Sequence, residues 1–380
     1  MIKKMSLVLL CLSTILFISC SKKKELKPVN FTKQVKQIDN LIIQVNPKNE
    51  LFLIGCRLAD AYYFDSPTDD VYVNTADKLF NCLRDHAFVK DLKKMSKNKN
   101  GSLSLMLEFA EYISDDITQI TVEKNDLRPE LKEFLGRLNF SSFLVNFNDF
   151  AQKSNYERFA LINDAYQKAA VNNIAEFYNV NNKMIPWFNS FVYSEENKPL
   201  IEINVSDLLL GYYIYLNLHH ENGRDHIPFY QAPGSNMDGW NDVYILDGFI
   251  HYKSCDILEK NWDLVKDKLK LIANKIYEDN QIIAEDKDWF YIANISRAVF
   301  TSAIEDYIRL VKPEEDASLV IKQFEESTLY EDIEKMNKMF ALYKNSRDTY
   351  KDFETFFSNY MVKELNGDWY EKTSSFLDNS

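Results

Sequence analysis

Apolar residues recur at helical spacing through most of this chain, and that pattern is the strongest constraint on its fold. In the first such segment, Leu51, Ile54, Leu58 and Ala61 fall on one face of a helix. Similar spacing predicts helices over the following segments: 50–63, 74–92, 102–113, 129–138, 156–178, 242–277, 289–311, 319–345 and 348–365. The chain is therefore expected to be predominantly helical.

The apolar spacing changes in one part of the chain. Ile201, Ile203 and Val205 alternate with polar residues, which is the period of a half-buried strand, and residues 213–218 alternate likewise. Together they predict a hairpin or two strands of a small sheet. A loop rich in Pro, Gly, Asn and Asp is expected to follow over 222–239. The predicted fold class is α+β, predominantly helical with one small sheet.

The N-terminus has the three parts of an export leader that ends at a cysteine. Two lysines precede an apolar stretch over 7–18, and Ser19 and Cys20 form a cleavage point with a small residue before the thiol. The stretch is shorter than the ~20 apolar residues that span a bilayer. We therefore predict a lipoprotein signal peptide over 1–19 and a mature chain that begins at a lipidated Cys20.

Acyl groups such as palmitate on Cys20 would anchor the mature protein in a lipid bilayer. Two or more acyl groups give stable anchoring, whereas a single one binds a membrane only weakly. Lys22, Lys23 and Lys24 would then lie against anionic headgroups. The expected location is the bacterial cell envelope, at the outer membrane or the plasma membrane. An ordinary secretory leader cut near Ser19 is the alternative.

The remaining sequence divides into a short tether and one large domain. Residues 20–47 are polar and are predicted to be a tether. Residues 48–380 are long enough to bury a sizeable core and are predicted to form a single domain. Within it, the pattern suggests a helical half over 48–180 and a sheet-plus-helix half over 181–380.

Composition excludes several functional classes. The formal net charge is −12, and loss of the two leader lysines makes it −14, which argues against nucleic acid as a partner. The chain has nine glycines and no Walker, GxGxxG or GxSxG motif, so nucleotide binding and ordinary serine-hydrolase chemistry are not expected. Past Cys20, Cys56, Cys82 and Cys255 form no CxxC pair. We interpret them as buried free thiols, with a Cys56–Cys82 disulfide as the alternative.

One helical segment has the spacing of a metal site. In Asp247-Gly248-Phe249-Ile250-His251, the first and last residues lie one helical turn apart on the same face. Zinc peptidases of the zincin type use this spacing for two histidine ligands, with a glutamate after the first as general base. Here only His251 has the expected identity.

The chain resembles a family of exported bacterial proteins and lipoproteins that is designated a domain of unknown function and carries a zincin-like HExxH helix. The resemblance covers most of the mature chain. Besides the helix at Asp247–His251, the motifs that carry it are Glu50-Leu51, Arg57-Leu58-Ala59, Ser296-Arg297-Ala298, Tyr343-Lys344-Asn345-Ser346-Arg347-Asp348-Thr349-Tyr350 and Phe353 to Phe357. It implies a gluzincin-like metallopeptidase scaffold, with two histidines and a downstream glutamate on zinc.

This sequence departs from the family pattern at three of its four functional positions. Asp247 replaces a histidine, Gly248 replaces the general base, and Ala293 or Asn294 stands where the downstream glutamate is expected. A catalytic zinc needs three protein ligands, and Asp247 with His251 supplies two at most. The motif is therefore interpreted as degenerate, with no cofactor expected; zinc on Asp247 and His251 is the alternative.

Two further groups of residues are candidates for a site. Arg297 lies on a predicted helix and is expected to be partly buried against a carboxylate. The resemblance brings its helix beside the one that carries Asp247, and we predict an Asp247–Arg297 ion pair. His219, His220 and His226 form a short tract that could bind metal, but the preferred interpretation is a solvated strand end.

Two functions follow from these observations. The preferred one is a membrane-anchored lipoprotein that binds or scaffolds without catalysis, with a peptide or protein partner in a cleft lined by aromatic residues. The candidate lining residues are Tyr213, Tyr215, Trp240, Phe249 and Trp289. The alternative is an active metal-dependent hydrolase whose ligands are Asp247, His251 and an acid from among Glu285, Asp288 and Glu305. A packing role at the envelope, with no function in the cleft, is a third possibility.

Overall fold

A computed structural model describes most of the chain: residues 26–61, 70–97, 102–209, 213–216, 219–221, 224–233, 241–279, 288–300, 303–327 and 333–366. Several predictions fall outside these residues, among them the leader, Cys20, Trp240 and Glu285. The same holds for some side chains inside helices and strands: Tyr213, Tyr215, His219, His220 and Arg297.

Polar side chains determine where the first helices begin. Asn46, Asp70 and His86 each accept a hydrogen bond from a backbone N–H in the first turn of a helix. The helix predicted over 74–92 is therefore two helices, because His86 caps a new one. In chain order, the helices up to residue 192 are α1 (Pro47–Leu58), α2 (Val71–Phe80), α3 (Ala87–Ser96), α4 (Leu103–Glu111), α5 (Pro129–Leu135), α6 (Phe140–Lys153), α7 (Tyr156–Ile162), α8 (Asp164–Val180) and α9 (Met184–Val192).

The C-terminal part is also helical, as predicted. Its longest element has 39 residues and extends from Asn241 to Asp279. In chain order the elements are α10 (Asn241–Asp279), α11 (Asp288–Phe300), α12 (Ala303–Val311), α13 (Glu314–Ser327), α14 (Ile333–Asn345), α15 (Phe353–Phe356), a π-helix (Phe357–Met361) and α16 (Val362–Asn366).

Six strands of the described chain form one mixed sheet. They are β1 (Gln34–Ile38), β2 (Leu41–Val45), β3 (Leu200–Val205), β4 (Tyr213–Tyr215), β5 (His219–Glu221) and β6 (Arg224–Gln231). The order is β1-β2-β3-β6-β4, and β5 also pairs with β6. The β2–β3 and β3–β6 pairs are parallel, whereas the other pairs are antiparallel. The predicted α+β class with a small sheet is confirmed.

Two predictions about the segments that form this sheet are wrong, and a third was left open between two alternatives. Residues 34–45 form two of its strands and do not form a tether, because Leu41 and Ile43 are buried in the core. The strands at 200–205 and 213–215 are two strands of one sheet, which is one of the two predicted alternatives; they do not form a hairpin, because both pair with β6. The predicted loop over 222–239 contains that strand. Because β6 contains several polar residues, the sequence pattern did not predict this strand, although its last five residues are buried.

The sheet has helices on both faces, which gives the molecule two apolar clusters. Ile43, Ile203 and Phe229 lie on one face and pack with α8 to α15. On the other face, Tyr230 and Leu208, a residue of the short 3₁₀ helix Asp207–Leu209, pack with α1 to α7. Within the described chain, no helix combines the length and the apolar character required to cross a membrane.

Candidate functional site

His251 lines a cavity between the helices α10 and α11. The cavity has a volume of about 290 Å³, and Ala293 of α11 lines it together with His251. The two helices that the resemblance brings together are therefore adjacent, and Ala293, one of the two positions at which the resemblance implies a glutamate, lines the same cavity as His251. Asp247, one turn before His251, is half-buried and is not among the described residues that line this cavity.

Both ring nitrogens of His251 have neighbours from the protein. The Oγ of Ser296 lies 2.8 Å from Nδ1, and the Sγ of Cys255 lies 3.9 Å from Nε2. The Cys255 thiol also donates to Ser296 Oγ over 3.2 Å. Burial raises the pKa of Cys255 to about 12, so this thiol is neutral at pH 7 and is a poor nucleophile.

The described residues around His251 differ from the zinc ligands that the resemblance implies. Among the described residues, no three His, Cys, Asp or Glu side chains are grouped so that they could hold a metal ion. Two acids proposed for the alternative hydrolase also lie elsewhere. Asp288 is exposed and pairs with Lys270 at 2.7 Å, and Glu305 is buried in α12 away from the cavity lining.

The opposite wall of the cavity contains a buried ion pair. Glu108 of α4 is 1% exposed, and both of its carboxylate oxygens accept hydrogen bonds of 2.6 Å from Arg128. The same guanidinium lies 3.0 Å from Glu130. Although burial opposes ionisation, the charge of Glu108 raises the pKa of Arg128 above its usual value. One arginine therefore neutralises part of the charge of two carboxylates.

Two more carboxylates make the cavity acidic. Glu133 and Glu259 line it together with the residues of the ion pair, so four glutamates face one arginine and a histidine. Burial and the nearby charge of Glu130 raise the pKa of Glu259, as expected where negative charge is in excess. The half-buried aromatic residues Tyr252 and Trp289 complete the walls.

Of the five predicted aromatic cleft residues, the structure describes two side chains, those of Trp289 and Phe249. Trp289 lines this cavity, as predicted. The prediction that Phe249 lines a cleft is wrong, because Phe249 is 1% exposed and its ring packs against Phe188 and Phe229 in the core. Position 249 faces the sheet because it lies half a turn from His251 on the same helix.

The three histidines of the tract lie on strands: His219 and His220 on β5, and His226, which was predicted to lie in a loop, on β6. His219 pairs in register with His226, and His220 pairs with Asp225. The Nε2 of His226 lies 3.3 Å from Glu202, a charge contact across the neighbouring strands β3 and β6. Burial opposes ionisation of Glu202, but the hydrogen bond and charge of His226 lower its pKa.

The contact between His226 and Glu202 belongs to a group of polar side chains on one face of the sheet, and this group extends towards α4. Glu202 accepts a hydrogen bond of 2.7 Å from Gln44. On the next strand, the Tyr230 hydroxyl donates to Glu111 of α4. Burial raises the pKa of Glu111, although the charge of Lys48 opposes that shift. Because α1 and α4 cover this face, we interpret it as a buried polar layer that fixes strand register.

The described cysteines are free thiols, and no disulfide joins Cys56 to Cys82. Cys56 is buried, as expected, but Cys82 is exposed, so its predicted burial is wrong. No protein-family model matches the chain, and no curated protein or solved structure matches it either. The resemblance to the zincin-like family and the Asp247–Arg297 pair therefore stay predictions.

The sequence analysis assigned no role in a site to several residues that line the cavity, among them Glu108, Arg128 and Cys255. A signal was present for Cys255, which follows His251 by four residues and so lies one turn further on the same helix face. No signal was present for the Glu108–Arg128 pair, because the two residues lie on separate elements and meet only in the folded chain.

Proposed function

We propose that this chain is an exported lipoprotein, anchored through Cys20, that binds a positively charged ligand in the His251 cavity without catalysis. The observation that supports binding is the composition of the cavity, whose lining includes four glutamates, one arginine and two aromatic rings. With His251 neutral, the lining has a formal excess of three negative charges. An ammonium or guanidinium group would offset that excess.

The aromatic residues support the same class of ligand. The faces of tryptophan and tyrosine rings attract cations, and this attraction adds to that of carboxylates where water is excluded. The volume of about 290 Å³ is at the lower end of ligand-binding cavities and suits one side chain or a small amine. A lysine or arginine side chain of a peptide partner satisfies both conditions.

The His251 region supports binding over hydrolysis. A nucleophilic cysteine needs a lowered pKa, whereas that of Cys255 is raised. Position 248, where a zincin has its general base, is a glycine, and position 293 is an alanine. General-base assistance is commonly worth about 10²–10⁴-fold in rate, so a site without it would be a poor hydrolase.

Binding of small cations tests this proposal directly. We expect n-butylammonium and n-butylguanidinium to bind the full chain in a detergent without charge or sugar, while n-butanol and butyrate do not. The double variant Glu133→Gln/Glu259→Gln should weaken cation binding roughly tenfold, since each partly exposed charge contact is worth up to ~1 kcal/mol. Isothermal titration calorimetry provides the dissociation constants. This variant keeps the Glu108–Arg128 pair intact.

The matched control is Glu157→Gln/Glu176→Gln, which changes the net charge equally at two exposed positions on α7 and α8. It should leave binding unchanged. Equal binding of n-butanol and the cations would contradict the proposed ligand class. Stoichiometric zinc in the purified protein, lost in His251→Ala, would instead support the hydrolase.

A further inference from the structure

Four large apolar side chains are exposed close together where α2, α7 and α8 meet. They are Val71 at the start of α2, Leu161 and Ile162 at the end of α7, and Tyr166 in the first turn of α8, and their exposed fractions lie between 41% and 78%. We call these four residues the apolar patch. The other exposed large apolar residues of the described chain are spread over several elements, which is usual for a protein surface, whereas a cluster marks a surface that contacts a partner.

Buried rings hold the three helices together beneath the apolar patch. Tyr72, which follows Val71 in α2, is 2% exposed. Its ring centroid lies 5.0 Å from that of Phe159 in α7 and 5.3 Å from that of Tyr166 in α8. These contacts bring the exposed residues of the three helices to one part of the surface. The patch is therefore formed by packed elements and not by a loop.

The N-terminal segment runs beside the apolar patch. The ring centroid of Phe31 lies 5.2 Å from that of Tyr156, the first residue of α7. Gln34 donates a hydrogen bond of 3.0 Å to Asp164, the first residue of α8. Asp164 lies in sequence between the α7 and α8 residues of the patch. The chain therefore enters the fold on the same side of the molecule as the patch.

The proposed lipid anchor is close to this segment in sequence. Five residues separate Cys20 from Leu26, the first described residue, which packs against the same apolar cluster as α7. An extended chain spans at most about 3.6 Å per residue, so Cys20 lies within roughly 22 Å of Leu26. A tether of this length would hold the bilayer against the side of the molecule where the chain enters the fold. This step rests on the proposed anchor at Cys20.

From the exposed side chains and the short tether we infer that the apolar patch docks on the bilayer surface. Apolar side chains gain free energy at the boundary between headgroups and acyl chains, and a short tether raises their effective concentration there. Arg158 is exposed on α7, one turn before Leu161 and Ile162. Its aliphatic part can lie along the patch while its guanidinium reaches lipid phosphates. Lipid is favoured over a second copy of the chain because the tether brings the bilayer to this side.

Spin labelling of the acylated full chain in phosphatidylcholine vesicles tests this inference. A nitroxide is attached at Leu161→Cys in a Cys82→Ser/Cys255→Ser background, in which the remaining described thiol, Cys56, is buried. We expect oxygen, which concentrates in the bilayer, to relax this label more than a water-soluble nickel chelate does. Leu319→Cys is the matched control: Leu319 is also an exposed leucine, on α13, and its label should collide with the chelate several-fold more often.

Intact-mass measurement of the same sample separates docking from the anchor. A chain without acyl groups on Cys20 would contradict the anchor and overturn docking with it. An acylated chain whose labels at positions 161 and 319 are equally accessible to the chelate would overturn docking and leave the anchor in place. Shielding of the label at position 161 in Cys20→Ser without vesicles, increasing with protein concentration, would assign the patch to a second copy and also overturn the inference.

Discussion

At the scale of single residues, Glu50 shows how burial changes the chemistry of a side chain. Glu50 is 1% exposed and accepts a hydrogen bond from the Tyr72 hydroxyl. Burial raises its pKa to about 7, although hydrogen bonds from Ser206 and Tyr72 oppose the shift. The negative charge of Asp207 adds to the rise. The folded protein therefore binds a proton at Glu50 more tightly than the unfolded chain does.

This shift predicts a pH dependence of stability. The pKa of Glu50 is higher in the folded state than its ordinary value of 4.5, so its contribution is most favourable below pH 4.5 and is lost as pH rises to about 7. Glu50→Gln should therefore gain stability relative to wild type between pH 4.5 and pH 8, by about 3 kcal/mol. Urea denaturation at the two pH values measures this difference.

Glu157→Gln, at an exposed position, is the control and should leave the free energy of unfolding nearly unchanged. If the stability of Glu50→Gln relative to wild type is the same at both pH values, Glu50 does not bind the additional proton.

At the scale of elements, close contacts explain residues whose role the sequence pattern does not reveal. Gly55 lies where α1 meets α3: a Cβ atom there would stand 2.6 Å from Phe88 Cε1 and 2.7 Å from Leu92 Cδ1. The helical period of α1 was predictable from its apolar stripe. The reason for a glycine in the middle of that helix is the close packing of α3, which the sequence pattern does not show.

Substitutions in β1 and β2 test whether residues 34–45 form strands of the sheet and not a tether. Ile43 is 0% exposed in β2, so Ile43→Ala should lower the free energy of unfolding by about 2–5 kcal/mol. Val35 of β1 is 53% exposed, and Val35→Ala should cost less than about 1 kcal/mol. Chemical denaturation of both variants compares them. Equal, negligible effects are what a flexible tether over 20–47 would give.

At the scale of the whole molecule, the proposed lipid anchor places the chain at a membrane. We expect the mature protein to begin at Cys20 and to carry acyl chains, and Cys20→Ser to release it from the membrane fraction, because the acyl chains would be its membrane anchor. Intact-mass measurement and membrane fractionation test this prediction. Cys11→Ser, inside the leader, is the control; a wild-type chain without fatty acid would contradict the anchor.

The candidate site also belongs to this scale. Sequence analysis found His251 because its spacing from Asp247 is that of a known motif. The cavity around it depends on Glu108 and Arg128, which come from elements about 120–140 residues earlier in the chain. Contacts at such separations have no period in the sequence, so a single sequence does not predict them.

The sequence by itself determined the helical content, the strand at 200–205 and the α+β class, because burial of one face imposes a period of 3.6 or 2 on the chain. Only the tertiary structure decided that residues 34–45 and 224–231 are strands, and that Phe249 faces the core while His251 faces a cavity. β2 and β6 carry polar residues that other elements bury, such as Gln44 and Gln231. A local pattern predicts whether a residue can be buried, whereas its partners are set by the packing of distant elements.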